Sequence, residues 1–147
     1  MTPTLPDILI GCLLTLNAPL PPEAAGDYMA ARMGLLAMLA ALAAQEAERG
    51  PAARIWENQA IGDLFAHLSD DYRAHFSDTL AAAAQAGDGD FTWSGLDRTN
   101  AALRSVLIDL HQEAERRDDG DLQRAILKLY QAMADARRLD LAGATGG

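Results

Sequence analysis

The chain has 147 residues, with 12 Lys+Arg against 21 Asp+Glu, a formal net charge of −9 and a single cysteine. That length suits one domain whose core needs neither disulfide nor structural metal, and one Cys with three His cannot supply a zinc-finger ligand set. The negative charge excludes nucleic acid as an expected partner, because binding it depends on basic side chains that neutralise phosphates.

Thirty alanines and 22 leucines stand against one valine, six isoleucines and seven threonines. Ala and Leu favour helix, while the β-branched residues that suit strands are scarce. An all-α chain is expected, and proline, glycine and acidic punctuation divides it into five helical segments. The first, about Pro3–Leu16, carries Leu5, Ile8, Leu9, Cys12, Leu13 and Leu16 on one face, so Cys12 reads as a small core residue. Asn17 to Pro22 breaks the pattern, with Pro22 suited to the first turn of the next helix.

The second helix is expected over Pro22–Arg49. It has a stripe of Tyr28, Leu35, Leu39, Leu42 and Ala43, and beside it a second stripe of Met29, Met33, Leu36 and Ala40. Apolar character nearly all round suggests a helix surrounded by others. The greasy stretch 29–44 counts as shorter than the ~20 residues a bilayer requires. Gly50-Pro51 reads as a stop. A third helix, about Ala52–Gln85, has a stripe of Ile61, Leu64, Phe65, Leu68, Tyr72, Phe76 and Leu80. A loop over Ala86–Asp90 follows, and Phe91-Thr92-Trp93 is expected to plug the core.

The fourth helix starts near Ser94 or Leu96, and Ser94-Gly95-Leu96-Asp97 is a variant capping box. Its inward face is Leu96, Leu103, Val106, Leu107, Leu110 and Ala114. Arg116 and Arg117 at its end, and Asp118, Asp119 and Asp121 at the next start, suit the helix dipole. The fifth, about Asp121–Arg138, uses Leu122, Ile126, Leu129, Tyr130 and Met133. The expected fold is a single helical domain over residues 1–138, an antiparallel bundle of four main helices plus an N-terminal amphipathic helix, with a flexible tail at 139–147.

Chemistry is sparse. Asp63, His67, Asp71 and His75 recur every four residues and form one ridge on a continuous third helix. His67, Asp71 and His75 are the residues of a metal alternative to a solvated acidic face, but four such positions extend over ~18 Å and cannot all hold one ion. The Glu-x-x-His repeats of a diiron bundle are absent, and His111 with Glu115 reads as a surface pair. No nucleophile elbow or phosphate-binding glycine loop occurs. No cofactor is expected. More informative are the polar residues that interrupt apolar faces: Arg32, Glu46, Glu57, Asn58 and Asn100. A buried charge is costly unless paired, so these should meet one another, a partner or a ligand. They make up the candidate ligand-binding set.

Four runs in the first third carry a resemblance: Leu5-Pro6-Asp7-Ile8-Leu9, Leu20-Pro21, Tyr28-Met29-Ala30-Ala31-Arg32-Met33 and Gln45-Glu46-Ala47-Glu48-Arg49-Gly50-Pro51. This region resembles small uncharacterised bacterial helical proteins encoded near acyl-CoA dehydrogenases and aminoglycoside-phosphotransferase-like kinases. Leu35 and Leu36 stand where those proteins usually carry an Asn soon after the Arg. The resemblance implies an accessory protein of acyl-CoA or related catabolism and draws attention to Arg32. The leading expectation is a non-catalytic interaction protein with a protein partner or a second copy of itself, cytoplasmic, with no membrane contact. The alternative is a small-molecule-binding bundle with a polar pocket around Arg32.

Overall fold

The computed structural model describes residues 5–19, 26–85 and 89–140, so the expected roles of Pro22 and of the tail from 141 onward lie outside the described residues. The chain is all-α, with no strand among those residues. Its helices are α1 (Leu5–Leu16), α2 (Asp27–Ala66), α3 (Asp70–His75), α4 (Ser77–Gln85), α5 (Trp93–Arg116) and α6 (Gly120–Ala136). They group into two compact units: one runs to Gly50 and takes in the stretch from Arg138, and the other is Pro51–Arg137.

In the first unit, α1 turns Leu9, Leu13 and Leu16 partly inward, whereas Ile8, Ile10 and Leu14 are exposed. Cys12 is exposed as well, contrary to the expectation of a core thiol. The part of α2 in this unit buries Ala37, Ala41 and Ala44 and leaves Leu35, Leu36 and Leu39 in solvent. The spacing of its large side chains therefore did not identify the packed side; the small residues do the packing. At the far end, Gln45 donates from Nε2 to the carbonyl of Asp140 and accepts from its backbone N–H, both at 2.8 Å.

Gly50-Pro51 does not stop α2, which continues through Pro51 to Ala66. Proline removes one ladder hydrogen bond, at a cost of about 3 kcal/mol. Just beyond it Ala53 and Ile61 are buried, and buried Arg54 and Glu57 are paired with Asp97 and with Arg137 and Asn100, which fixes the helix on the far side of the proline. The break falls later. His67 and Leu68 close the helix with i→i−3 bonds to Leu64 and Phe65, and Ser69 is extended (φ −62°, ψ 159°) before acidic Asp70 and Asp71 open α3. The expected single helix over Ala52–Gln85 is thus the end of α2 plus two short helices. Its apolar stripe survives the break: Ile61, Phe65, Leu68, Tyr72 and Phe76 are all buried.

α5 packs against α4 and α6. Leu103, Val106, Leu107 and Leu110 of α5 meet Ile126 and Met133 of α6 and the Ile61–Phe76 series in one core. Thr92, rather than Ser94, caps α5: its Oγ1 accepts from the Gly95 N–H at 3.1 Å, and Asp90 in turn accepts from the Thr92 N–H and hydroxyl. A Cβ on Gly95 would lie 2.2 Å from the Asp90 carboxyl carbon and 2.5 Å from its carbonyl oxygen, so only glycine permits this loop to close. Phe91 is 74% exposed and plugs nothing. Asp118 turns the chain between α5 and α6 with φ of 55°, and Asp119 caps α6 by accepting from the Leu122 N–H.

Candidate functional site

The second unit assembles a polar cluster inside its apolar surroundings. On α2, Arg54, Glu57, Asn58 and Ile61 share a face at spacings of three and four. On α5, Leu96, Asn100 and Leu103 do the same, so apolar side chains bracket Asn100 one turn to either side. Glu57 and Asn100 are buried, and Asn58 is half-buried. Arg137, the residue that ends α6, closes the cluster.

Hydrogen bonds link the cluster. Arg137 donates from Nε to Glu57 Oε1 at 2.5 Å and from Nη2 to Oε2 at 2.6 Å. The same Nη2 donates to Asn100 Oδ1 at 2.8 Å. Asn100 Nδ2 donates to Glu57 Oε2 and Asn58 Oδ1, both at 2.9 Å. Among the described residues no buried side-chain nitrogen or oxygen lacks a hydrogen bond. A two-pronged Arg–carboxylate pair fixes orientation as well as charge. Both oxygens of Glu57 are already engaged, so the carboxylate holds the helices in place.

One turn before Glu57, Arg54 pairs with Asp97 and lies over the Trp93 ring, 4.3 Å from its centre. Trp93 therefore receives a cation on its face, in place of the core-plugging role expected of it. A second charged group lies at the end of α5. Glu113 accepts from Arg116 Nε at 2.7 Å and Arg117 Nε at 2.6 Å, and these hydrogen bonds hold its carboxyl down to about 2. The Arg117 guanidinium lies 4.4 Å from the centre of the Tyr72 ring. Burial, with Asp119 accepting from its hydroxyl at 3.3 Å, raises the Tyr72 phenol.

A pocket of about 360 Å³ opens beside the polar cluster, lined by Glu57, Arg104, Tyr130, Met133, Ala134 and Arg137. Burial raises the Tyr130 hydroxyl, partly offset by Arg104. A cationic wall, a phenol and two apolar side chains can receive a small anionic or amphipathic molecule.

Three of the five residues expected to bind a ligand, Glu57, Asn58 and Asn100, thus meet in hydrogen-bonding contact. Arg32 and Glu46 belong to the first unit, where Arg32 is exposed and Glu46 half-buried. Arg137 was missed. The available signal was its position four residues after inward Met133 and seven after Tyr130, which puts a charge on the apolar face of α6. His67, Asp71 and His75 are exposed, and the break at Ser69 takes them off a common continuous ridge. His67 Nδ1 lies 2.7 Å from the carbonyl of Asp63, and His75 meets the edge of Phe76. Among the described residues no three His, Cys, Asp or Glu side chains gather as a metal site. No family model, curated protein or solved structure matches the chain.

Proposed function

We propose that this chain is a non-catalytic helical interaction protein, an accessory subunit that works through the apolar face of its N-terminal unit. The observation that supports this reading is the exposure of Ile8, Ile10, Leu14, Met29, Leu35, Leu36 and Leu39, with Leu14 at 68% and Leu39 at 50%. Single exposed leucines are ordinary on any surface; a run of them on consecutive turns marks a contact surface. An antiparallel order of the main helices, with α1 as the N-terminal amphipathic helix, belongs to the same reading. The three-residue connection between α5 and α6 supports it. The resemblance of the first third is the basis for placing the protein beside enzymes of acyl-CoA or related catabolism.

The test is photo-cross-linking in the expressing cell, with a photoreactive residue at position 39 and, as a control, at exposed Lys128. Protein adducts at position 39 that are absent at 128 are expected. No protein adduct at 39, or adducts with lipid alone, would reject the reading.

The pocket beside Arg137 favours a second reading, small-molecule binding, with the polar site around Arg137 and Arg104 in place of Arg32. Melting of the protein with a panel of short carboxylates and acyl-CoA compounds tests it. A stabilisation abolished by Arg104→Ala supports this reading, and an unchanged melt across the panel rejects it.

A further inference from the structure

We infer that the exposed seam of α2 receives a second copy of this chain, running antiparallel about a two-fold axis that crosses the helix at Leu39. This rests on the reading of that face as a protein-binding surface and names its occupant. Arg32, Leu35, Leu39, Leu42 and Glu46 follow one another at spacings of three and four, so they form one continuous seam of the helix. Arg32, Leu35 and Leu39 are exposed, whereas the side buried within the unit is Ala37, Ala41 and Ala44. Leu35 and Leu39 therefore remain available after the unit has packed, while Leu42 and Glu46 are half-buried.

The charges choose the orientation. Arg32 and Glu46 lie equally far from Leu39, seven residues to either side. An antiparallel two-fold at Leu39 sets Arg32 of each protomer beside Glu46 of the partner subunit, and one symmetry operation makes that ion pair twice. It also places Leu39 on its own counterpart and Leu36 against Leu42 of the partner subunit. A parallel pairing in the same register would set arginine on arginine and glutamate on glutamate. Arg32 forms no salt bridge among the described residues, whereas Glu46 already has an interaction within its own protomer that the pairing must share or replace.

A bilayer fits this seam less well. By length, and by a mean hydropathy of 1.2 over an 18-residue window, α2 is apolar enough to cross a membrane, against the expectation drawn from residues 29–44. Yet the uncharged run is the thirteen residues 33–45, bounded by Arg32 and Glu46. At ~1.5 Å per residue it covers ~20 Å, against a hydrocarbon core of ~30 Å. A protein surface with an acidic and a basic group at the right places satisfies both ends.

The experiment uses the full-length protein. In a Cys12→Ser background, Leu39→Cys should oxidise to a covalent dimer, because a residue on the axis meets itself. Arg32→Cys should not, because its counterpart lies about 14 residues, or ~21 Å, along the helix. Light scattering across a concentration series should show a dimer that Arg32→Glu or Glu46→Arg each weakens about tenfold, and that the two changes together restore. A dimer indifferent to both charge reversals overturns this register but keeps the face as a protein surface. A strict monomer whose position 39 cross-links to a different protein overturns the second copy and keeps the reading. A monomer that floats with phosphatidylcholine–phosphatidylglycerol vesicles overturns both.

Discussion

Arg137 grips both carboxylate oxygens of Glu57 across eighty residues of sequence, at 2.5 and 2.6 Å. The pair ties the end of α6 to the second unit's part of α2, and Asn100 joins α5 to both. Glu57 is wholly buried, while the Arg137 side chain is 32% exposed. The two partners are therefore unequal: arginine can recover water if abandoned, and the carboxylate cannot.

That inequality predicts asymmetric mutants. Arg137→Met leaves a buried carboxylate with Asn100 alone and should cost about 3–5 kcal/mol, the range for an uncompensated buried charge. Glu57→Gln keeps the shape and leaves a guanidinium that solvent reaches, so it should cost less, about 1–3 kcal/mol. Urea unfolding followed by far-ultraviolet circular dichroism measures both. Equal losses would contradict the asymmetry.

Gly95 and Gly62 should respond in opposite ways to alanine. At Gly95 the new methyl meets Asp90 backbone and side chain, so the loop that caps α5 must open. A net loss of about 1–3 kcal/mol is expected, despite alanine's better helix propensity. At Gly62, inside α2, nothing lies within 4 Å of the added methyl. Gly62→Ala should gain up to about 1 kcal/mol. Thermal melting of the two variants side by side provides the comparison.

Acid should weaken the second unit through Glu113. Hydrogen bonds from Arg116 and Arg117 hold this carboxyl at about 2, below its ordinary value of 4.5. A depressed folded value means the unfolded chain takes up the proton first as pH falls. The contribution of Glu113 is therefore complete above about 4.5 and is lost progressively toward 2. Denaturant midpoints at a series of pH values should fall across that window. In Glu113→Gln the fall should be shallower, and a curve parallel to that of the parent would refute the assignment.

The second unit was more legible in the sequence than the first, for a physical reason. Ile61, Phe65, Tyr72 and Phe76 announced their burial by size and spacing, and a large apolar side chain is strongly drawn from water. Glu57, Asn58 and Asn100 stood out because a polar residue in such a row needs partners. Arg137 looked like an ordinary basic residue at a helix end, and only its phase against Met133 distinguished it. In the first unit the packed residues are alanines, whose periodicity is hidden in a segment where nearly every residue is small or apolar. Gly50-Pro51 and Ser69 show a different effect. Local breaking signals are energies of about 3 kcal/mol at most, which tertiary structure can overrule, as at Pro51, or leave in force, as before Asp70.

Asn100 also sets how far α5 can slide. One turn in either direction would present Leu96 or Arg104 to the spot the amide occupies. Leucine would strip Glu57 and Arg137 of a hydrogen-bonding neighbour, and arginine would bring one guanidinium against another. The amide thus works as an index mark, and a single longitudinal alignment of the helix answers to it.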